Sequence, residues 1–140
     1  MERSMDLLED AEDFLGAALD LLRTGRWSKV CPCAQQCAEM SLKAALNSLG
    51  IEMKGHDLSE LLGELSRYVE GLEGLGDKAK VLDQYYIPTR YANAFYSGSA
   101  KSHYTESQAR DALKYAEEIF GRMKAIVAKG EAEGRGRAPP

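Results

Sequence analysis

The chain has 140 residues and a formal charge of −4, from 22 acidic and 18 basic side chains. That length suits one domain able to bury a core without disulfides or metals, and the acidic balance argues against broad electrostatic binding to duplex DNA while leaving room for a local basic pocket. No apolar run reaches about eighteen residues, so no membrane span is expected, while three cysteines confined to positions 31–37 and an acidic, amphipathic start point to a reducing cytoplasm rather than secretion.

The first helix is expected from about Glu2 to Thr24. Leu8, Ala11, Leu15, Ala18 and Leu22 recur at helical spacing, and Leu7, Phe14 and Leu21 widen the stripe. Gly25 is the stop. After Trp27 a second helix runs from about Ser28 to Leu49, with Pro32 expected in its first turn, where backbone donors are unpaired anyway. Val30, Cys33, Ala34, Cys37, Ala38, Ala44, Ala45 and Leu49 form its apolar side. Many of these are small, so a neighbouring helix can come close. Gly50 ends it.

A third helix is capped by Asp57, with Glu60 at capping-box spacing, and buries Leu58, Leu61, Leu62, Leu65 and Val69. Gly71, Gly74 and Gly76 break the chain before a fourth helix from about Asp77 to Tyr86, which Pro88 terminates. An irregular stretch holding Ser97-Gly98-Ser99 follows. The last helix starts at Thr105 with Gln108 completing a capping box, and Ala109, Ala112, Leu113, Ala116, Ile119, Phe120, Met123 and Val127 keep its period. No segment has strand periodicity and nothing repeats. The fold expected is all-α, an antiparallel up-and-down bundle of four to five helices over residues 1–129, with a flexible Gly/Pro/charged tail at 130–140.

The residues that break this helical pattern are the candidates for function. Tyr85-Tyr86-Ile87-Pro88-Thr89-Arg90-Tyr91-Ala92-Asn93 gathers three tyrosines, an arginine and an asparagine at a proline break. Phenol rings and a guanidinium can stack on a base, and the guanidinium fork fits phosphate. The same residues could equally pack a bundle corner. On the second helix Gln36, Glu39 and Lys43 share one face, and spacing alone reads Glu39–Lys43 as a solvated pair worth ~0.3–0.5 kcal/mol. A groove opposite Arg90 is the functional alternative. His56, just before Asp57, and His103, just before Thr105, are expected to fix helix starts, with proton transfer as the sharper possibility.

Other chemistry finds little support. Cys31, Cys33 and Cys37 fall short of four zinc ligands, and the usual ligand spacing is missing, so no metal or other cofactor is expected. No nucleophile elbow, zinc-protease motif or phosphate-binding loop occurs, and the glycines at 71–76 follow a helix, not a strand.

Taken jointly, several blocks resemble one family. They are Ala34-Gln35-Gln36-Cys37-Ala38-Glu39-Met40-Ser41-Leu42-Lys43-Ala44, then Gly50 with His56-Asp57-Leu58 and Leu61-Leu62. Next comes Leu82-Asp83-Gln84-Tyr85-Tyr86-Ile87-Pro88-Thr89-Arg90-Tyr91, and finally Tyr104-Thr105-Glu106-Ser107-Gln108-Ala109. From about Met5 to Val127 the chain resembles the HEPN domain (higher eukaryotes and prokaryotes nucleotide-binding) of the small free-standing prokaryotic kind. The resemblance implies a helical homodimer that binds nucleotide or nucleic acid, paired with a minimal nucleotidyltransferase in a toxin–antitoxin-like couple. Some members are metal-independent ribonucleases marked by an arginine, four to six residues, then a histidine. Counting from Arg90, the histidine would stand at 95, 96 or 97, which hold Phe95, Tyr96 and Ser97. The reading is therefore a non-catalytic binding module. Arg90 and Lys43 would meet phosphate, Tyr86 or Tyr91 would stack, and Gln36, Glu39 and Asn93 would orient polar groups. The alternative is a ribonuclease using Arg90 with a displaced His103 or His56. A third reading, a dimerising scaffold, would have Arg90 consumed by Asp83 or Glu39.

Overall fold

The computed structural model describes residues 3–86 and 98–134. Among the described residues five α-helices follow in order: α1 (Ser4–Arg23), α2 (Trp27–Ser48), α3 (Leu58–Leu65), α4 (Gly76–Asp83) and α5 (Glu106–Ala132). One-turn 3-10 segments, Glu73–Leu75 and Ala100–His103, precede α4 and α5. There is no strand among the described residues. The all-α bundle is as the sequence led one to expect.

Two glycines end the first two helices. At the end of α1 the N–H of Gly25 donates to the Leu22 carbonyl and that of Arg26 to Leu21, with Gly25 at φ 75°. The end of α2 repeats the pattern, Gly50 N–H to Asn47 and Ile51 N–H to Leu46, with Gly50 at φ 81°. Both are paired helix-terminating bonds that need a left-handed residue, the conformation a Cβ disfavours.

α2 is the central element, packed by α1, α3, α4 and α5. Its four neighbours leave one partly exposed stripe, through Lys29, Cys33, Gln36, Met40, Lys43 and Asn47, and cover most of the rest of the helix. Hence Cys31, Leu42 and Leu46 are fully buried alongside Val30, Ala34, Cys37, Ala38, Ala44 and Ala45. Cys33 and Leu49, expected on its buried side, are only partly covered. Because α2 begins at Trp27, Pro32 lies in the second turn and not the first. Its absent N–H leaves only the Ser28 carbonyl without the usual helical donor, close enough to the helix start to be tolerated.

The remaining elements pack their short apolar stripes onto α2. α1 buries Leu8, Ala11, Ala18 and Leu22. α3 buries Leu58, Leu61, Leu62 and Leu65, and ends before Val69, which packs on the core from outside the helix. The glycine-rich stretch after it is more than a break, since Leu72 and Leu75 are buried in the main core. α4 stops at Asp83, three residues short of Tyr86. There the backbone tightens into i→i−3 bonds, Gln84 N–H to Val81 and Tyr85 N–H to Leu82, leaving Tyr85 buried. α5 starts on the full reciprocal capping box of Thr105 and Gln108. It runs through a buried Gly130 to Ala132, into the segment read as tail. Residues 135–140 of that segment lie outside the described residues.

Leu42 lies at the centre of this packing and is fully buried. Leu42→Ala should cost about 2–5 kcal/mol by transfer and cavity terms. The half-exposed Leu19→Ala should stay within about 0.5 kcal/mol. Chemical denaturation of the two variants checks the ranking, and equal losses would contradict the central placement of α2.

Candidate functional site

One face of α2 carries polar side chains into the bundle. Gln35, Glu39 and Lys43 stand four residues apart and so line up along one helical row. Gln35 is fully buried and Glu39 only 2% exposed. A carboxylate out of water needs donors on both oxygens, and Glu39 has them. Lys43 Nζ lies 2.9 Å from Oε2. Gln35 Nε2 donates to Oε1 at 3.2 Å, and His56 Nδ1 approaches the same oxygen at 3.2 Å. Glu39–Lys43 is therefore not the solvated surface pair that spacing suggested. The reason is the crowding of α2 by its neighbours, which leaves the Lys43 side chain 19% exposed. Removing one partner of such a buried pair costs on the order of 3–5 kcal/mol.

His56 is held at several points. Its carbonyl accepts from Gln35 Nε2 at 3.3 Å, so the same amide ties the loop before α3 to α2. Its ring stacks on Tyr86, with centroids 4.2 Å apart and planes at 18°. A carboxylate only accepts, so the bond to Glu39 puts a proton on Nδ1. The ring remains 52% exposed.

Asp83 brings the two sides together. Its Oδ1 accepts from Leu58 N–H at 2.7 Å, and its Oδ2 from Ser59 N–H at 3.2 Å and Ser59 Oγ at 2.9 Å. Asp57 caps the same turn, accepting from Glu60 N–H at 3.0 Å. Two carboxylates thus satisfy the first donors of an eight-residue helix too short to be stable alone, and their charge suits its positive end. The consequence is positional. The end of α4 is tied to the start of α3, which sets Tyr86 against His56.

Of the sequence-predicted site residues, Gln36, Glu39, Lys43 and Tyr86 converge here. Gln36 joins indirectly, its Nε2 donating to Gln35 Oε1 at 2.7 Å. His56 belongs to the cluster, whereas His103, in the exposed turn before α5, makes no hydrogen bond or ion pair to Glu39, Lys43 or His56. Arg90, Tyr91 and Asn93 lie outside the described residues, as does the proline break itself. The two acids considered as sinks for the Arg90 charge are engaged elsewhere, Glu39 within this cluster and Asp83 on α3. Sequence reading missed Gln35, although its i, i+4 spacing to Glu39 was a usable signal. An open depression of about 590 Å3 along α1 is lined by Glu9, Asp10, Glu12, Asp13 and Asp20, a chemistry that repels phosphate.

The family model of the HEPN domain matches residues 4–126. The chain belongs to the HEPN family. Among solved structures, it is similar to TT1696 from Thermus thermophilus, with 40% identity and a TM-score of 0.84, covering 93% of this chain and 99% of that one. It is also similar to ST0689, an archaeal HEPN homologue, with 31% identity and a TM-score of 0.76, covering 91% and 99%. A relative from Methanocaldococcus jannaschii, named "Putative toxin MJ1304", is 26% identical over 126 residues, spanning 84% of this chain and 83% of its own length. No helix among the described residues of this HEPN chain is long and apolar enough to cross a membrane.

The cysteines and two tyrosines of this HEPN bundle belong to its packing. Burial pushes the thiols of Cys31 and Cys37 up to about 12, and that of the partly covered Cys33 in the same direction. Burial likewise pushes the phenols of Tyr85 and Tyr104, which lie ring against ring at 5.8 Å, up to about 12. Thiols held protonated are poor nucleophiles and poor metal ligands. No group of three or more His, Cys, Asp or Glu side chains is placed to hold a metal among the described residues.

These raised values make stability depend on pH in one direction. The unfolded chain releases its thiol and phenol protons from about pH 9 upward, while the folded chain keeps them to about pH 12, so alkali favours unfolding across that interval. The denaturant midpoint should fall steadily between about pH 9 and pH 11. A midpoint that stays flat over this range would contradict the burial of these groups.

Proposed function

We propose that this chain is a non-catalytic, nucleotide- or nucleic-acid-binding HEPN module of a toxin–antitoxin-like couple, working as a homodimer with a minimal nucleotidyltransferase partner in the cytoplasm. The observation that carries the reading is the polar cluster of α2. Gln35, Glu39 and Lys43 hold His56 and Tyr86 together at the end of α4, four residues before Arg90. Lys43 and Arg90 supply the cations for phosphate, and Tyr86 and Tyr91 the flat rings for a base. Gln36 and Asn93 supply amides for polar edges. Glu39 acts one step back, holding Lys43 and His56 in place. The name of the M. jannaschii relative supports a toxin-like role.

Absence of the arginine-to-histidine signature supports the non-catalytic side of the reading. A second reading draws on one specific observation, the carboxylate behind His56. A metal-independent ribonuclease would use that imidazole with Arg90, and His103 is the weaker candidate because it lies outside the cluster. Cleavage of RNA that survives a chelator and disappears in both Arg90→Ala and His56→Ala would establish it.

Titration of the pure protein with nucleotides and short RNAs tests the binding role. The wild type should bind, and Arg90→Ala should weaken binding about tenfold or more, the scale of a lost charge-assisted contact. Equal binding by the two proteins, or none by either, would contradict the proposal.

A further inference from the structure

We infer that the cavity between the start of α1 and the end of α2 is a separate ligand site that takes a small apolar α-amino acid. Its carboxylate would lie on Arg3, Lys43 and Asn47, its ammonium on Glu52, and its side chain against Leu7, Ile51 and Met53. This site stands apart from the nucleotide-binding reading, since it shares only Lys43 with the polar cluster.

The walls of the cavity follow from the local sequence. Beyond the Gly50 stop, Ile51 and Met53 pack on the main core and Glu52 between them is exposed. Asn47, in the last turn of α2, ties across to the start of α1, its Oδ1 accepting from the Arg3 N–H. A backbone N–H only donates, so this bond commits Oδ1 and leaves Nδ2 as the remaining end of the amide. Nδ2 has no hydrogen-bond partner among the described residues.

The charges on these walls are not matched within the protein. The Arg3 guanidinium has no hydrogen bond or ion pair among the described residues, and Lys43 uses one of its three donors on Glu39. Glu52 borders the same space and pairs with neither cation. Opposite charges that line one cavity without meeting suit a ligand that carries both. Glu39 already neutralises Lys43, so Arg3 and Glu52 leave the lining with no net charge. That disfavours a phosphate dianion and admits a zwitterion. At about 130 Å3 the cavity has room for only a few waters of ~30 Å3 each, too little for a nucleotide and enough for a small amino acid. Leu7, Ile51 and Met53 give that ligand's stem an apolar wall, with the polar groups left to fix its orientation.

The test separates the zwitterion from its halves. Nitrogen-labelled protein is titrated with alanine, valine and leucine, and then with isovalerate and isobutylamine, which are valine without its ammonium and without its carboxylate. An amino acid should shift the Asn47 side-chain amide and the backbone amides of residues 51–53 at millimolar concentration, and each half of valine should bind about tenfold more weakly. Asn47→Asp keeps the acceptor for the Arg3 N–H and sets a negative charge where the amide donor was, so affinity for valine should fall at least tenfold. Glu52→Gln changes only an exposed side chain, leaves the fold intact, and should erase the preference for valine over isovalerate. No shift at these positions with any of the three amino acids would overturn the inference. Equal wild-type affinity for valine and isovalerate, or valine binding unchanged in Glu52→Gln, would overturn it as well.

Discussion

A carboxylate with 2% exposure must be matched by donors, and much of the geometry around the candidate site follows from how Glu39 meets that demand. Lys43 neutralises it from the next turn of the same helix, Gln35 donates from the previous turn, and His56 reaches it from the loop before α3. The first two are local to α2. The third is long-range and fixes how α3 is presented to α2. Gln35 reinforces it by bonding both the carboxylate and the His56 backbone, so one buried amide links the ionic centre to the loop.

The rest of the bundle supports this arrangement from two directions. The glycine-terminated turn at Gly25 folds α2 back on α1, and the one at Gly50 ends α2 and releases the chain toward α3. α3 and α4, eight residues each, could not persist on helix propensity alone. Leucines on their inner faces and the Asp83 bridge from one helix end to the other hold them. The site is thus assembled from a central helix packed by the four others, and two short helices that are placed because they are tied. Such a frame suits fixed binding groups more than moving ones.

Helix number, order and most apolar stripes were legible in the sequence, because period, caps and glycine stops are local signals. Both capping residues, Asp57 and Thr105, and both glycine stops, Gly25 and Gly50, act where spacing placed them. What was not legible depends on packing between distant segments. Spacing cannot say that four helices pack on α2, so Leu42 and Leu46 were missing from its core side and Glu39–Lys43 read as exposed. The role of Asp83 as a cap for α3 is invisible locally, since its partners lie 24 and 25 positions earlier. Of the candidate site, the α2 polar residues and Tyr86 were legible as types. Their joining through Gln35 and His56 was not, because a buried amide in an alanine-rich helix resembles any other polar residue until the neighbouring loop is placed.

The central claim is that Glu39 holds the His56 ring in one tautomer. Long-range proton–nitrogen NMR of the imidazole, recorded with the ring neutral in wild type and in Glu39→Gln, addresses it most directly. The account requires a single form with the proton on Nδ1 in the wild type, and loss of that bias in Glu39→Gln. A wild-type ring protonated on Nε2, or averaging between both forms as free histidine does, would contradict it.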